Sequence, residues 1–152
     1  MPIKLTTKSA KAESIVMFSA LASLLAIGSA YSAVKDCGAG LGLFRVDAVS
    51  LIPATPVSGQ NVTLHLEYTV PDTVLITDGL ATYSFTYNFI PFAPTTEPLC
   101  ANVPCPLAGG HYSNDTVSMW PSGISGTVVS RMSWTDPLNA LLLCIEISGK
   151  VR

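Results

Sequence analysis

The chain has 152 residues, 49% of them apolar and only 12% charged, the latter roughly half the usual share. From Val34 onward five Lys or Arg stand against nine Asp or Glu, a formal charge of −4 with no basic cluster. That balance argues against nucleic acid and against electrostatic adhesion to an anionic membrane surface.

Residues 1–32 read as a secretory signal peptide. Lys4, Lys8 and Lys11 form a positive head, residues 15–27 are apolar apart from Ser19 and Ser23, and Gly28, Ser29, Ala30 and Ser32 are small. Cleavage after Ala30 or Ser32 would put small residues at the last and third-last leader positions. Residues 33–152 then form one domain, and the run is too short for a comfortable membrane span. Two acceptor triplets, Asn61-Val62-Thr63 and Asn114-Asp115-Thr116, agree with passage through a glycosylating compartment.

Along the domain the pattern is that of strands. The first is predicted over residues 43–49. Residues 61–70 alternate strictly, with Val62, Leu64, Leu66, Tyr68 and Val70 on one face, His65 and Glu67 on the other. Residues 81–89 repeat this with Tyr83, Phe85, Tyr87 and Phe89 opposite Thr82, Ser84, Thr86 and Asn88, so four aromatics line one face. Further strands are predicted over 111–119, 127–134 and 141–151. Pro53, Pro56 with Gly59, Pro71 with Asp72, Asp78 with Gly79, Pro121 with Gly123, and Asp136 with Pro137 mark turns or edges between them. Strands with one wet face and no helix to cover them must bury against a second sheet. The predicted fold is an all-β, immunoglobulin-like antiparallel sandwich.

Four cysteines in an exported chain read as a disulfide framework. Of the three pairings the economical one joins Cys37 to Cys144 and Cys100 to Cys105. The chain-entropy model gives the long bridge roughly 4 to 5 kcal/mol and the short one about 2.

Chemistry finds few players. His65 reads as a solvated strand residue, and His111 follows Gly109 and Gly110 in a turn. A Cys105–His111 nucleophile pair is disfavoured, because thiols in an oxidising compartment are oxidised. Gly123-Ile124-Ser125-Gly126 lacks the spacing of a nucleophile elbow, and Gly38-Ala39-Gly40-Leu41-Gly42 precedes no helix. No catalytic residue, metal site or cofactor is expected.

Lys35-Asp36-Cys37-Gly38 after a leader, Pro56 and Gly59 before an Asn-Val-Thr strand, Pro91-Phe92 ahead of Cys100, Cys105-Pro106-Leu107, and a closing strand through Leu143-Cys144 resemble the ML lipid-recognition family. Its members include sterol-transfer and phosphatidylglycerol/phosphatidylinositol-transfer proteins. The resemblance implies two sheets standing slightly apart around an apolar ligand, and the same two bridges. It matches Phe92 to the pocket mouth. It also expects a tryptophan where Met132 stands, and a further bridge of the animal sterol carriers for which residues 51–60 supply no cysteine. On this reading the protein is a non-enzymatic, monomeric carrier of a sterol or phospholipid. It would touch a membrane or a membrane lipid acceptor transiently, and would work outside the cell or in a lysosomal or vacuolar lumen. The alternative is a secreted recognition module for a protein partner. The expected lipid-binding residues are Leu64, Leu66, Tyr68, Tyr83, Phe85, Tyr87, Phe89, Phe92, Trp120, Met132 and Trp134, with Phe92 and Trp120 at the entrance.

Overall fold

The computed structural model describes residues 32–151. Nearly all of the expected leader lies outside them. Nine strands follow in order: β1 (Ser32–Asp36), β2 (Arg45–Ile52), β3 (Asn61–Ile76), β4 (Leu80–Tyr87), β5 (Ile90–Pro91), β6 (Thr95–Pro98), β7 (Leu107–Met119), β8 (Gly126–Thr135) and β9 (Leu141–Val151), with one 3-10 turn at Leu99–Ala101. All pairings are antiparallel. One sheet runs β1-β9-β8-β4-β5, with β6 also on β4; the other runs β2-β3-β7. The predicted two-sheet sandwich is the observed architecture.

The alternation of β3 carries the packing. Val62, Leu64, Leu66, Tyr68 and Val70 are buried between the sheets, and the residues between them face outward. Tyr68 anchors one end of the core. Its ring stacks on Phe44 at 5.7 Å and on Tyr112 at 5.5 Å, and meets Trp134 edge-on at 5.4 Å. Leu99, Leu107 and Val103 are buried in the same core. Cys37 and Cys144 are bonded, as are Cys100 and Cys105. The long bridge ties the chain just past β1 to β9, where Cys37 N–H also donates to the Cys144 carbonyl at 2.9 Å.

Three predicted boundaries need correction. Pro71 and Asp72 are not a turn: β3 runs through them to Ile76, and the register slips between Val70 and Leu75. An irregularity is where a strand tolerates a residue with no N–H to give. The bulge presses Asp72 onto Gly109, where an added Cβ would collide with the Asp72 backbone. β7 accordingly begins at Leu107, and both glycines before His111 lie within the strand, not in a turn. Finally, β4 stops at Tyr87. Asn88 and Phe89 form the tight turn to β5 with φ of 46° and 69°, so Phe89 leaves the aromatic face.

The two sheets are not parallel plates. Their backbones approach most closely where β1 lies beside β2, and they diverge toward the opposite side, where β7 edges one sheet and β4 carries the short β5 and β6 on the other.

Candidate functional site: a cleft between the sheets

The divergence leaves three pockets in line. The first, about 240 Å³, is walled by Leu51, Val62, Phe85, Trp120, Pro121 and Val128. It shares Ser118, Ser130 and Ile147 with a second of about 190 Å³, to which Leu64, Tyr83, Met132 and Ile145 belong. Tyr83, Thr116 and Met132 continue into a third of about 300 Å³, with Asn102, Asn114 and Trp134. Together they fall within the range of roughly 300–1,000 Å³ typical of ligand sites. Thr116 and Ser118 pair with Leu64 and Val62 across the β3–β7 ladder, and so face the same way, yet both are exposed. The cleft is therefore open along β7.

Its character changes along its length. The first pocket is apolar, and Phe92 leans on its wall with its ring 5.6 Å from Phe85. The third is polar and is bordered by Trp134, a residue 1% exposed whose indole N–H is buried with no hydrogen-bond partner among the described residues. Asn102 donates to Glu97 at 2.7 Å. Burial pushes the Tyr83 hydroxyl up to about 12, helped by a hydrogen bond to Glu97.

Of the sequence-predicted residues, Leu64, Tyr83, Phe85, Trp120, Met132 and Trp134 line the cleft. Leu66 and Tyr68 face the same way but lie in solid core. Tyr87 stays half-buried, its hydroxyl donating to the Ser125 carbonyl at 2.8 Å. Phe89 is 90% exposed beyond the end of its strand, and Phe92 is half-exposed at the rim. Residues that sequence reasoning missed include Leu51, Val128, Ile145 and Ile147. They were legible as inward positions of apolar strands, but nothing in their spacing singles them out from core.

Outside the cleft, His65 is held between Asp115 at 2.6 Å and Glu67 at 3.2 Å on the outward face of β3. Among the described residues no group of His, Cys, Asp or Glu is arranged to hold a metal. Asn61 is exposed and faces outward beside Met119, whereas Asn114 faces into the third pocket.

A cystine-stapled, all-β sandwich with a cleft wedged open between its sheets defines a class of small binding domains. Residues 31–151 match the ML domain family, and the chain belongs to that family. It is 31% identical over 117 residues to a putative phosphatidylglycerol/phosphatidylinositol transfer protein of Dictyostelium discoideum, covering 74% of this chain and 82% of the relative. Among solved structures the fold resembles a Niemann-Pick type C2 protein from the Japanese carpenter ant (TM-score 0.56, 12% identity, 79% of this chain and 99% of that one). It also resembles chicken MD-1 complexed with lipid IVa (TM-score 0.56, 14% identity, 80% of this chain and 90% of that one).

Proposed function

We propose that the protein binds a lipid between its sheets and carries it between membranes, as a carrier and not an enzyme. The observation that carries this reading is the apolar cleft. A sandwich that needed only stability would close its sheets, because interiors otherwise pack to crystal density. Family membership and the transfer function named for the Dictyostelium relative support it. A sterol has roughly 28 heavy atoms, and at about 0.3 kcal/mol each the affinity falls near micromolar, which suits a carrier that must release. The two bridges favour an oxidising compartment, outside the cell or in a secretory or lysosomal lumen.

Membrane contact has a candidate face. Ile52, Trp120, Pro121 and the Asn88–Phe89 turn share one end of the sandwich, where Ser58 donates to the Pro121 carbonyl at the end of the smaller sheet and the Asn88 N–H to the Thr127 carbonyl at the end of the larger. No acidic residue lies between Asp47 and Glu67, between Asp78 and Glu97, between Asp115 and Asp136, or after Glu146. Those are the stretches that build this end. An acidic domain thus turns an acid-free tip outward, bearing exposed Phe89, Ile90 and Phe92 beside the apolar pocket. Phe89 holds a positive φ normally left to glycine or asparagine, a cost that gains no burial. Phe89→Ser with Ile90→Ser should leave the fold unchanged and lower sedimentation with phosphatidylcholine vesicles several-fold; equal sedimentation would remove the tip from the contact.

N-glycan attachment at Asn61 fits its outward position, and a glycan on Asn114 would occupy the cleft.

Native mass spectrometry of protein purified from its own host tests the carrier reading. A co-purifying sterol or phospholipid is expected. An empty monomer with a stable protein partner would overturn it in favour of a recognition module.

A further inference from the structure

Among the described residues, the sheet edges are β1 and β5 with β6 on the larger sheet, β2 and β7 on the smaller. A bare edge pairs with free strands it meets, and folded proteins blunt theirs by shortness, proline, charge or a bulge. β1 has five residues, among them Lys35 and Asp36. β5 and β6 have two and four, with Pro91 and Pro98. β2 carries Arg45 and Asp47 at a register break between Val46 and Ala48. β7 is built otherwise: it has 13 residues with no Lys, Arg or Pro, its register is unbroken from Gly110 to Met119, and its one carboxylate, Asp115, is turned to His65. We propose that β7 pairs antiparallel with β7 of a second copy of this chain, giving a twofold dimer with Ser113 at the axis, in place of the monomer expected from the family resemblance. The dimer needs no lipid, so it stands or falls apart from the carrier reading.

Backbone direction and charge together choose the register. The Trp120 N–H donates to the Gln60 carbonyl at 2.7 Å. Hydrogen-bonding direction alternates along a strand, so Ser118, Thr116, Asn114 and Tyr112 turn their N–H and C=O to β3, while Met119, Val117, Asp115, Ser113 and His111 turn theirs to the free edge. A second β7 must therefore match odd positions with odd ones. Registers centred on Asp115 or on His111 set that side chain against its own copy. Centring on Ser113, the midpoint of Leu107–Met119, uses the whole strand and sets His111 of each copy against Asp115 of the other. These two side chains lie on the outward face, 56% and 61% exposed. Asp47 holds His111 Nδ1 and His65 holds Asp115 Oδ1, so among the described residues Nε2 and Oδ2 remain for the other copy. Val117 and Met119, each 66% exposed, come opposite Gly109 and Leu107 of the second copy at the ends of the seam.

Opposed residues of an antiparallel pair share a face, so the inward positions of both copies lie on one side of the joined sheet. The clefts, each open along β7, then open onto one another, with Tyr112 of the second copy opposite Asn114 beside the third pocket. Because the paired strands run oppositely, the two tips point away from each other at the ends of one continuous groove. The partner copy thus supplies the side wall that each cleft lacks.

Sedimentation velocity of the purified wild-type protein between about 1 and 300 μM should show a monomer–dimer equilibrium, the modest affinity of a short seam. Ser113→Pro removes an N–H that faces the edge and leaves the β3 ladder complete. It should weaken dimerisation about tenfold or more with the near-ultraviolet circular dichroism unchanged. Should that variant fail to fold, cysteine reads the register in its place. Ser113→Cys brings the two Cα atoms to about 5.5 Å, within disulfide range, and should link the copies on mild oxidation. Val117→Cys leaves its two copies about 26 Å apart along the seam and should not link them. Sedimentation as a monomer at every concentration would overturn the dimer and leave the edge to a strand of another protein. A dimer that Ser113→Pro does not weaken, or that links through Val117→Cys and not through Ser113→Cys, would put the contact elsewhere and overturn it too. Either result leaves the lipid found by native mass spectrometry, and the carrier reading, standing.

Discussion

Phe92 and His65 mark two kinds of residue that sequence alone leaves alike. Phe92 follows Pro91, the last residue of β5, half-exposed, and touches the cleft through Phe85. Phe92→Ala should slow lipid transfer between vesicles about three- to tenfold and change stability by less than about 1 kcal/mol, since the ring is only half-buried; unchanged transfer would remove it from the entrance. His65 looked like a bare surface residue. Asp115 first, then Glu67, hold its imidazolium and raise its pKa above the ordinary 6.5. A raised folded value means the contribution is fully present below the unfolded pKa and is lost as pH rises through the folded one. Denaturation midpoints should therefore carry a downward slope above about pH 6.5 that His65→Gln flattens. A slope identical in the variant would assign it elsewhere.

At the level of strands, the three at one edge of the larger sheet, β1, β9 and β8, are clamped by one carboxylate. Glu146 on β9, only 8% exposed, receives Lys35 of β1 at 2.9 Å and Arg131 of β8 at 2.7 Å. Arg131 chiefly, then Lys35, hold its carboxyl below the ordinary 4.5. A lowered folded value works in the opposite sense from His65: the stabilisation is present above the unfolded pKa and disappears as pH falls through the folded one. Glu146→Gln should cost about 1–3 kcal/mol at pH 7, the range for hydrogen bonds to charged groups, and should cost less below pH 4, as read from urea midpoints at both values. Strands also explain what was legible. β3 announces itself, because its apolar positions alternate and are buried on that period, whereas β9 alternates in sequence but is buried continuously from Leu142 to Glu146. β7 misleads. Its apolar Val117 and Met119 lie exposed on the outward face, while Asn114, Thr116 and Ser118 point between the sheets. Alternation normally reports which face is dry, and an edge strand bordering an open cleft reverses the sign. β5 and β6 are too short for any period to appear, and parity cannot see the turn that begins at Asn88 and takes Phe89 off the aromatic face.

For the molecule as a whole, the economical cystine pairing was readable from position, but the wedge between the sheets was not, because the same inward side chains would serve a solid core. The bridge from Cys37 to Cys144 spans 107 residues. Replacing both with Ser should lower unfolding free energy by up to about 4–5 kcal/mol in the chain-entropy limit, and a loss under about 1 kcal/mol by denaturant titration would show that the reduced chain keeps its ends together without it. This staple sits near the spine of the wedge, by β1 and β9, and the sheets part at the far side. Opening that side further breaks no backbone ladder, since every ladder runs within a sheet. Only side-chain contacts resist, and these yield gradually. Like a book held at its binding, the domain can take guests of different thickness by turning its covers, so its preference among lipids should decline smoothly with girth and have no sharp cutoff.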